Sequence, residues 1–309
     1  MGDDCHATRV KVITVTHNAE KHIEGLVTCL LTQNYNNLDF EIRDDYSTDR
    51  TVELATRLLA GRGLVIANQA NKGRCWTLNS ALPLYPKYRY LVIINASVRF
   101  DEHLISKLVS FAISQGETFG AATPQIYDTL SGRPFVGRKT SGFVNIVKTF
   151  LKTPNEIVKE IPNTGNTYFE TDSFWGCCCI LSANMVDMLK FDEELISFGD
   201  EPDMSFRGAR LGYKFYWTNS ADVWYTVGSS TMDERGPTPY RIYVGTRSKA
   251  LVTLRYGTTG EIILLPAVLL GTLLINLKRP ILVVSTLRAI AYVISNLDSV
   301  VEIRRKWRV

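Results

Sequence analysis

Residues 10–94 alternate between short apolar, β-branched runs and amphipathic segments, and few folds accept that alternation. Val10–Thr16 reads Val-Lys-Val-Ile-Thr-Val-Thr, as expected of a strand buried on both faces. Ile23, Leu26, Val27, Leu30 and Leu31 then recur at helical spacing. Residues 40–42 predict a second strand. Val52, Leu54, Ala55, Leu58 and Leu59 predict a second helix, which Ser47 or Thr48 is placed to cap. Leu64–Ala67 reads as a third strand, a helix through Leu78 and Leu82 follows, and Tyr90–Ile94 is the fourth strand. Short connections between such units imply an α/β fold with a mostly parallel, doubly wound sheet and flanking helices. Ligands bind at the carboxyl ends of such sheets. The polar clusters fall there: Thr16-His17-Asn18, Asp44-Asp45, residues 68–71 and Asn95-Ala96-Ser97.

No glycine-rich loop opens the first helix, which argues against a nicotinamide-dinucleotide domain or a P-loop. At 309 residues, 45% apolar and 21% charged, the chain has material for one large domain or two small ones and is not of disordered composition. A net charge of +4, with no basic stripe interleaved by aromatics, gives no indication of nucleic-acid binding. The six cysteines lack metal-ligand spacing; Cys177-Cys178-Cys179 would alternate across a strand and read as small, reduced core residues. The acidic start Met1-Gly2-Asp3-Asp4-Cys5-His6 has no apolar stretch, so no signal peptide and a cytoplasmic active domain are expected.

The second half is less regular. Residues 119–127 read as a strand, and 128–168 as a loop-rich insertion that suits an acceptor-binding lid or a plain surface loop. Ser173-Phe174-Trp175-Gly176 leads into an apolar strand at 177–181 and a helix at Ala183–Leu189. Then Asp200, Glu201 and Asp203 crowd around Pro202, a residue that fits the first turn of a helix. Carboxylates at that positive helix end act as caps or as a general base. From about residue 239 the character changes. Residues 240–256 predict a helix, basic on one side through Arg241, Arg247, Lys249 and Arg255. The apolar runs 262–275 and 281–294 are shorter than the roughly 20 residues a bilayer span requires. They suit a helical pair in a membrane interface, with Lys278, Arg279, Arg288 and the basic tail 304–308 reaching headgroups. The alternative is a helical hairpin packed on the domain or on a second copy of it, a homo-oligomer through these helices.

In order and spacing, several of these segments resemble family 2 glycosyltransferases of the GT-A fold, the rhamnosyltransferase-like members most closely. They are residues 12–18, the run Asp44-Asp45-Tyr46-Ser47-Thr48-Asp49, Asn71-Lys72-Gly73 with Asn79, and Phe191-Asp192-Glu193 followed by Gly199-Asp200-Glu201-Pro202-Asp203. The resemblance runs from about residue 9 to 230 and implies a Rossmann-like transferase domain at 1–236, followed by a basic and hydrophobic helical region at 237–309 of membrane-associated type. It implies inverting transfer of a sugar from a nucleotide diphosphate donor to a hydroxyl of a glycan or lipid-linked acceptor, in polysaccharide biosynthesis, by a protein peripheral on the inner face of the cell membrane. Carried over by position, Thr16, Asn18, Asp44, Asp45, Asn71, Gly73, Asn79, Asn95 and Ser97 fall on the nucleotide-sugar side. Trp175, Gly176 and Asp203 fall on the acceptor side, Asp203 being also suited to bracing the helix against Arg207. Glu201 is the first choice for general base and Asp200 the second.

The sequence departs from that pattern where the family holds Mg²⁺ or Mn²⁺. The expected Asp-x-Asp is Asn95-Ala96-Ser97, a poor ligand set for hard cations. Tyr225 stands where a later His is usual, and Arg43 where an apolar residue is usual. Two readings follow: an active transferase whose leaving diphosphate is neutralised by Lys72, Arg74 or Arg99, or a sugar-nucleotide or glycan-binding protein of the same fold that has lost transfer.

Overall fold

The computed structural model describes residues 8–135, 168–226, 232–233 and 236–307. The loop-rich insertion at 128–168, read as an acceptor-binding lid or a plain surface loop, lies mostly outside these residues. Four strands, β1 (Val10–Thr16), β2 (Leu38–Asp44), β3 (Leu64–Ala67) and β4 (Tyr90–Ile94), form one parallel half of a ten-stranded sheet. The helices that return the chain between them are α1 (Glu20–Leu31), α2 (Thr51–Leu59) and α3 (Arg74–Asn79). The third helix stops short of Leu82, whose following proline disfavours helical backbone. Register aligns Thr16 with Asp44, and Asp44 with Ala67, so three carboxyl ends share one edge.

The other half is mixed. It comprises β5 (Val98–Phe100), α4 (Leu104–Ser114), β6 (Phe119–Asp128), β7 (Pro134–Phe135), β8 (Tyr168–Thr171), β9 (Cys178–Ser182), α5 (Ala183–Leu189), α6 (Asp200–Arg210) and β10 (Lys214–Tyr225). The sheet order is β3-β2-β1-β4-β9-β6-β10-β5, with β7 on β6 and β8 on β10. β9 is antiparallel to both neighbours, pairing Ile94 with Cys178 and Ala122 with Ile180. This reversal places the start of β9, not its end, at the carboxyl edge of β4. The Asn95 N–H accordingly donates to the Cys177 carbonyl at 2.8 Å, and Trp175-Gly176 arrive at the ligand edge.

Side chains alternate between two cores, as a sheet covered on both faces requires. Val92, Cys178 and Ile180 enter the layer under α1, α2 and α4; Ile93, Cys179 and Leu181 enter the layer under α3, α5 and α6. The five cysteines among the described residues are free, and Cys177, Cys178 and Cys179 are buried with thiols pushed up by loss of hydration.

The C-terminal segment contains α7 (Pro239–Tyr256), α8 (Thr259–Ile275), α9 (Pro280–Ser295) and α10 (Leu297–Trp307), preceded by a two-residue pair of strands, β11 (Met232–Asp233) and β12 (Gly236–Pro237). Thr238 caps α7 with Pro239 in its first turn, and Thr258 with Glu261 forms a reciprocal capping box on α8. Leu251, Val252, Leu265 and Val293 enter the second core, so this segment shares a core with the sheet. The basic side of α7 faces inward: Arg247 and Arg255 are buried. Arg304 is also turned inward rather than toward a surface. It donates to the Leu254, Arg255 and Gly257 carbonyls at 3.0–3.2 Å, satisfying the orphan acceptors at the end of α7. Among the described residues no single helix is long and apolar enough to cross a membrane; α9 and α10 qualify only as a pair bent by 62°.

Replacing Ile23, fully buried between α1 and the sheet, with Ala is expected to cost about 2–5 kcal/mol. Leu64→Ala on the exposed edge strand is expected to stay within about 0.5 kcal/mol. Denaturant midpoints at constant m-value check both.

Candidate functional site

Thr16, at the end of β1, donates its hydroxyl to Asp44 Oδ1 at 2.8 Å. The same oxygen accepts from the Ser47 hydroxyl, and Oδ2 accepts the Ser47 N–H at 2.7 Å. Asp44 is therefore buried and saturated by its own loop. Asp45 does the same for the next turn. Its Oδ1 accepts from the Lys72 N–H at 2.7 Å and from Asn68 Nδ2 at 3.0 Å, while Oδ2 accepts the Gly73 N–H at 2.8 Å. Gly73 has φ 88, and a Cβ there would lie 2.7 Å from Ile196 Cγ2, so only glycine fits.

With these carboxylates engaged, the groups exposed at this edge are His17, Asn18, Asn71 and Lys72. Because a carbonyl only accepts, His17 Nδ1–H donates to the Asp45 carbonyl at 2.8 Å. That leaves Nε2 as an acceptor, and Asn18 Nδ2 approaches it at 3.3 Å. His17 is a site residue that the sequence reasoning did not single out, although it stands inside the first polar cluster. Asn79 is engaged elsewhere: its amide binds the Phe191 backbone at 2.8 and 2.9 Å and Glu193 Oε1 at 2.9 Å.

The acidic stretch forms the first turn of α6, with Gly199 at φ 92 ahead of it. Asp200 is buried and ion-paired with Arg74, which also donates to the Gly176 carbonyl at 3.0 Å. Glu201 is half-buried, and its Oε1 accepts the Gly176 N–H at 3.2 Å. Burial and the charge of Asp200 push the Glu201 carboxyl up to about 8, against the opposing pull of Arg74. A Cβ at Gly176 would lie 2.5 Å from Glu201 Oε1 and 2.8 Å from Arg74 Nη2. The bare backbone there makes the close approach feasible.

Trp175 lines the neighbouring wall, edge-on to Tyr225 at 6.0 Å and to Phe135 at 5.2 Å. Tyr225 is pushed up to about 12, chiefly by burial, and it hydrogen-bonds the Asn95 side chain. Asp203 presents no oxygen to the crevice. It is fully buried, with Oδ2 on Arg207 Nε at 2.9 Å and Oδ1 accepting from Tyr256 at 2.5 Å, so it braces α6 against α7. Two of the cations read as diphosphate partners are engaged within the protein: Arg74 as above, and Arg99 on the Ala96, Val98 and His22 carbonyls at 2.8–3.0 Å. Lys72 stands free of such carbonyls, 5.8 Å from the Trp76 ring. α7 adds groups that the sequence assigned only to a basic helix face. Tyr240 lies near enough to Asp45 to be raised by its charge, after burial, and Arg241 stacks 5.5 Å from the Phe198 ring.

The residues at the metal position do not fit a divalent cation. Ser97 is buried with its hydroxyl turned to the Thr226 carbonyl at 3.4 Å, Asn95 offers a neutral amide, and among the described residues no three His, Cys, Asp or Glu side chains cluster as a metal site.

A parallel sheet with a polar carboxyl edge, and a carboxylate facing it from a later helix, defines a GT-A-type crevice. The profile of glycosyl transferase family 2 matches residues 11–187, and the chain belongs to that family. It is 29% identical over 109 residues to the UDP-Glc:alpha-D-GlcNAc-diphosphoundecaprenol beta-1,3-glucosyltransferase WfaP of Escherichia coli, a match covering 35% of this chain and 41% of that protein. The chain thus spans less than half the length of this curated relative. In fold it is similar to the mannosyltransferase PcManGT from Pyrobaculum calidifontis, solved with GDP-Man and Mn²⁺, at TM-score 0.54 and 19% identity over 93% of this chain and 75% of that one. It is similar also to S. aureus TarS 1-349 in complex with UDP, at TM-score 0.53 and 17% identity over 81% of this chain and 67% of that one.

Gly73→Ala is expected to destabilise the fold by about 1–3 kcal/mol through the Ile196 clash and the strained turn, with the loss read as a lower denaturant midpoint.

Proposed function

We propose that this chain is an inverting glycosyltransferase that moves a hexose-type sugar from a nucleotide diphosphate donor to a hydroxyl of a lipid-linked or polymeric glycan. The observation that carries this reading is Glu201: a half-buried carboxyl, raised toward neutrality, held at the Gly176 N–H next to Trp175 and beside Arg74, the residue that follows the Gly73 turn. In the reaction, Glu201 takes the acceptor O–H proton and the freed oxygen lone pair forms the bond to the anomeric carbon. The bond from that carbon to the phosphate oxygen breaks, and its electron pair leaves on the diphosphate. His17 and Asn71 are the exposed groups we assign to nucleobase and ribose, and Asn18, whose Oδ1 accepts the Thr48 N–H at 2.9 Å, holds the loop beside them. Asp44 and Asp45 act by shaping the loops that carry those groups. Lys72 is the cation we assign to the diphosphate, since Arg74 and Arg99 are engaged. No step is assigned to a metal ion. The names of the relatives give glucosyl and mannosyl transfer, and the rhamnosyltransferase-like resemblance is not carried further.

Because Asn95 and Ser97 offer no carboxylate, a binding protein without transfer is the second reading. Glu201→Gln separates the two. Under the enzymatic reading it lowers nucleotide release by about 10²–10⁴-fold with UDP or GDP affinity retained; turnover equal to wild type would sink Glu201 as the base. A raised carboxyl is protonated at low pH and unable to accept a proton. The rate should therefore rise with pH through about 8 in wild type and lose that limb in the variant. Binding of donor with no release at any pH would establish the second reading.

We further propose that the protein is peripheral on the cytoplasmic face of a membrane, where a lipid-linked acceptor such as the diphosphoundecaprenol in the E. coli relative's name would lie. The support is the outer surface of α8 and α9: Ile263, Leu270, Leu274, Ile275, Ile281 and Ile294 are each more than half exposed, and Lys278 and Arg279 stand at the turn between the helices. Co-flotation with anionic vesicles should fall about tenfold or more for Leu274→Glu/Ile275→Glu. Dimerisation without flotation would assign the face to a second copy instead.

A further inference from the structure

A strained turn lies between the two halves of the site. Residues 190–199 join α5 to α6, and within them Ile196 has φ 60 and ψ −65 while the Ser197 N–H donates to the Leu195 carbonyl at 2.6 Å. That is a γ-turn of the positive-φ hand, rare for any residue and an outlier for a β-branched one. Phe198 at φ 65 and Gly199 at φ 92 carry the unusual backbone up to Asp200. Backbone of this kind persists only where its surroundings over-determine it.

Three helices do so. On α7, the Ser248 hydroxyl faces the Leu195 and Ser197 carbonyls at 2.9 and 3.3 Å, and Arg247 donates to the Glu194 carbonyl. Arg255, wholly buried, forks between Asp192 at 2.8 Å and Glu194. On α9, the Tyr292 hydroxyl donates to Glu194 Oε1 at 3.2 Å. On α3, Asn79 holds both backbone groups of Phe191, and the Cys75 N–H donates to the Ile196 carbonyl at 3.1 Å. The Ile196 side chain meanwhile closes on Gly73, the turn whose N–H groups Asp45 holds.

A buried arginine shared by two acids is a weak way to gain stability, because desolvation offsets the attraction. What the arrangement does supply is geometry. We propose that Arg255 and the Ile196 γ-turn are positioning residues: together they hold the first turn of α6, and with it Glu201, in register with the Gly73 turn on the nucleotide side. The proposal rests on the reading of Glu201 as the base, and it gives the C-terminal helices a direct part in aligning that base. α9 belongs to the arrangement because Tyr292 grips the loop from one face while Ile281 and Ile294 stand exposed on the other.

The test pairs Ile196→Gly with Arg255→Lys in the full chain. Glycine accepts the γ-turn backbone without strain, so Ile196→Gly should melt no lower than wild type. It should nevertheless lose about tenfold or more in kcat, with donor KM changed by no more than about twofold. Lysine cannot fork between Asp192 and Glu194, and Arg255→Lys should show the same split. Hydrogen exchange of the 197–207 segment, with and without UDP or GDP, should quicken about tenfold in both variants while β1 is unchanged. Wild-type kcat and wild-type exchange in Ile196→Gly would overturn the proposal, whether or not Arg255→Lys folds. If Glu201→Gln turns over like wild type, the base reading falls on its own, and the exchange measurement still decides whether the clamp orders α6.

Discussion

Arg74 sits where two carboxylates and a backbone carbonyl converge, and the shape of the crevice follows from that placement. Asp200 and Glu201 are adjacent at the start of α6, both withdrawn from water, and two such groups do not stay ionised side by side without a cation. Arg74 pairs directly with Asp200, while Glu201 takes the Gly176 N–H and shares a hydrogen bond with Asp200. The pair is thereby split: one carboxyl is paired with Arg74, the other is raised toward neutrality. Arg74 also opens α3, directly after the Gly73 turn that Asp45 holds. A single side chain therefore ties the nucleotide-side loop to the candidate base.

Much of this was legible in the sequence, and the limits have physical causes. Strands buried on both faces are continuous apolar runs, so the bounds of β1 and β4 are legible; β3, an exposed edge strand, is legible only from its apolar and β-branched composition. The polar clusters at their ends were legible for the same reason, because parallel register puts all the carboxyl ends on one edge. The reversal of β9 was not legible. Nothing in Cys177-Cys178-Cys179 distinguishes a parallel from an antiparallel neighbour, yet that direction is what carries Trp175 and Gly176 to the site. Partner choice among charges was equally hidden. Sequence offers Arg74 and Arg99 as diphosphate partners on equal terms with Lys72. Only the fold shows that buried carbonyls and Asp200 have taken the first two.

The same limit explains Asp44, Asp45, Asn79 and Asp203. As residue types at family spacing they resemble ligand contacts, but each has its polar atoms occupied by neighbouring backbone or side chains. A buried polar group left unpaired is costly, so a folded chain recruits such residues to hold loops. The role is then indirect: Asp45 sets the turn from which Asn71 and Lys72 project. His17, by contrast, is exposed, with its Nδ1–H held by the Asp45 carbonyl and its Nε2 beside the Asn18 amide.

The position of α7 bears most on how the chain works. A helix rich in Arg and Lys at the end of a sheet domain suggests a surface for anions, and a separate C-terminal region follows naturally from that. The packing is different. Arg255 and Arg247 are buried against the loop that precedes α6, Tyr256 fixes Asp203, and Arg241 stands beside Phe198. If α7 to α10 were an ordinary water-facing cap on the domain, their exposed groups would be polar and their buried groups apolar. Instead the large exposed side chains of α8 and α9 are apolar, and much of the buried charge of α7 points at the base loop. Whatever covers the outer face of α9 acts on a helix whose inner face holds Glu194 through Tyr292, and through that loop on Glu201.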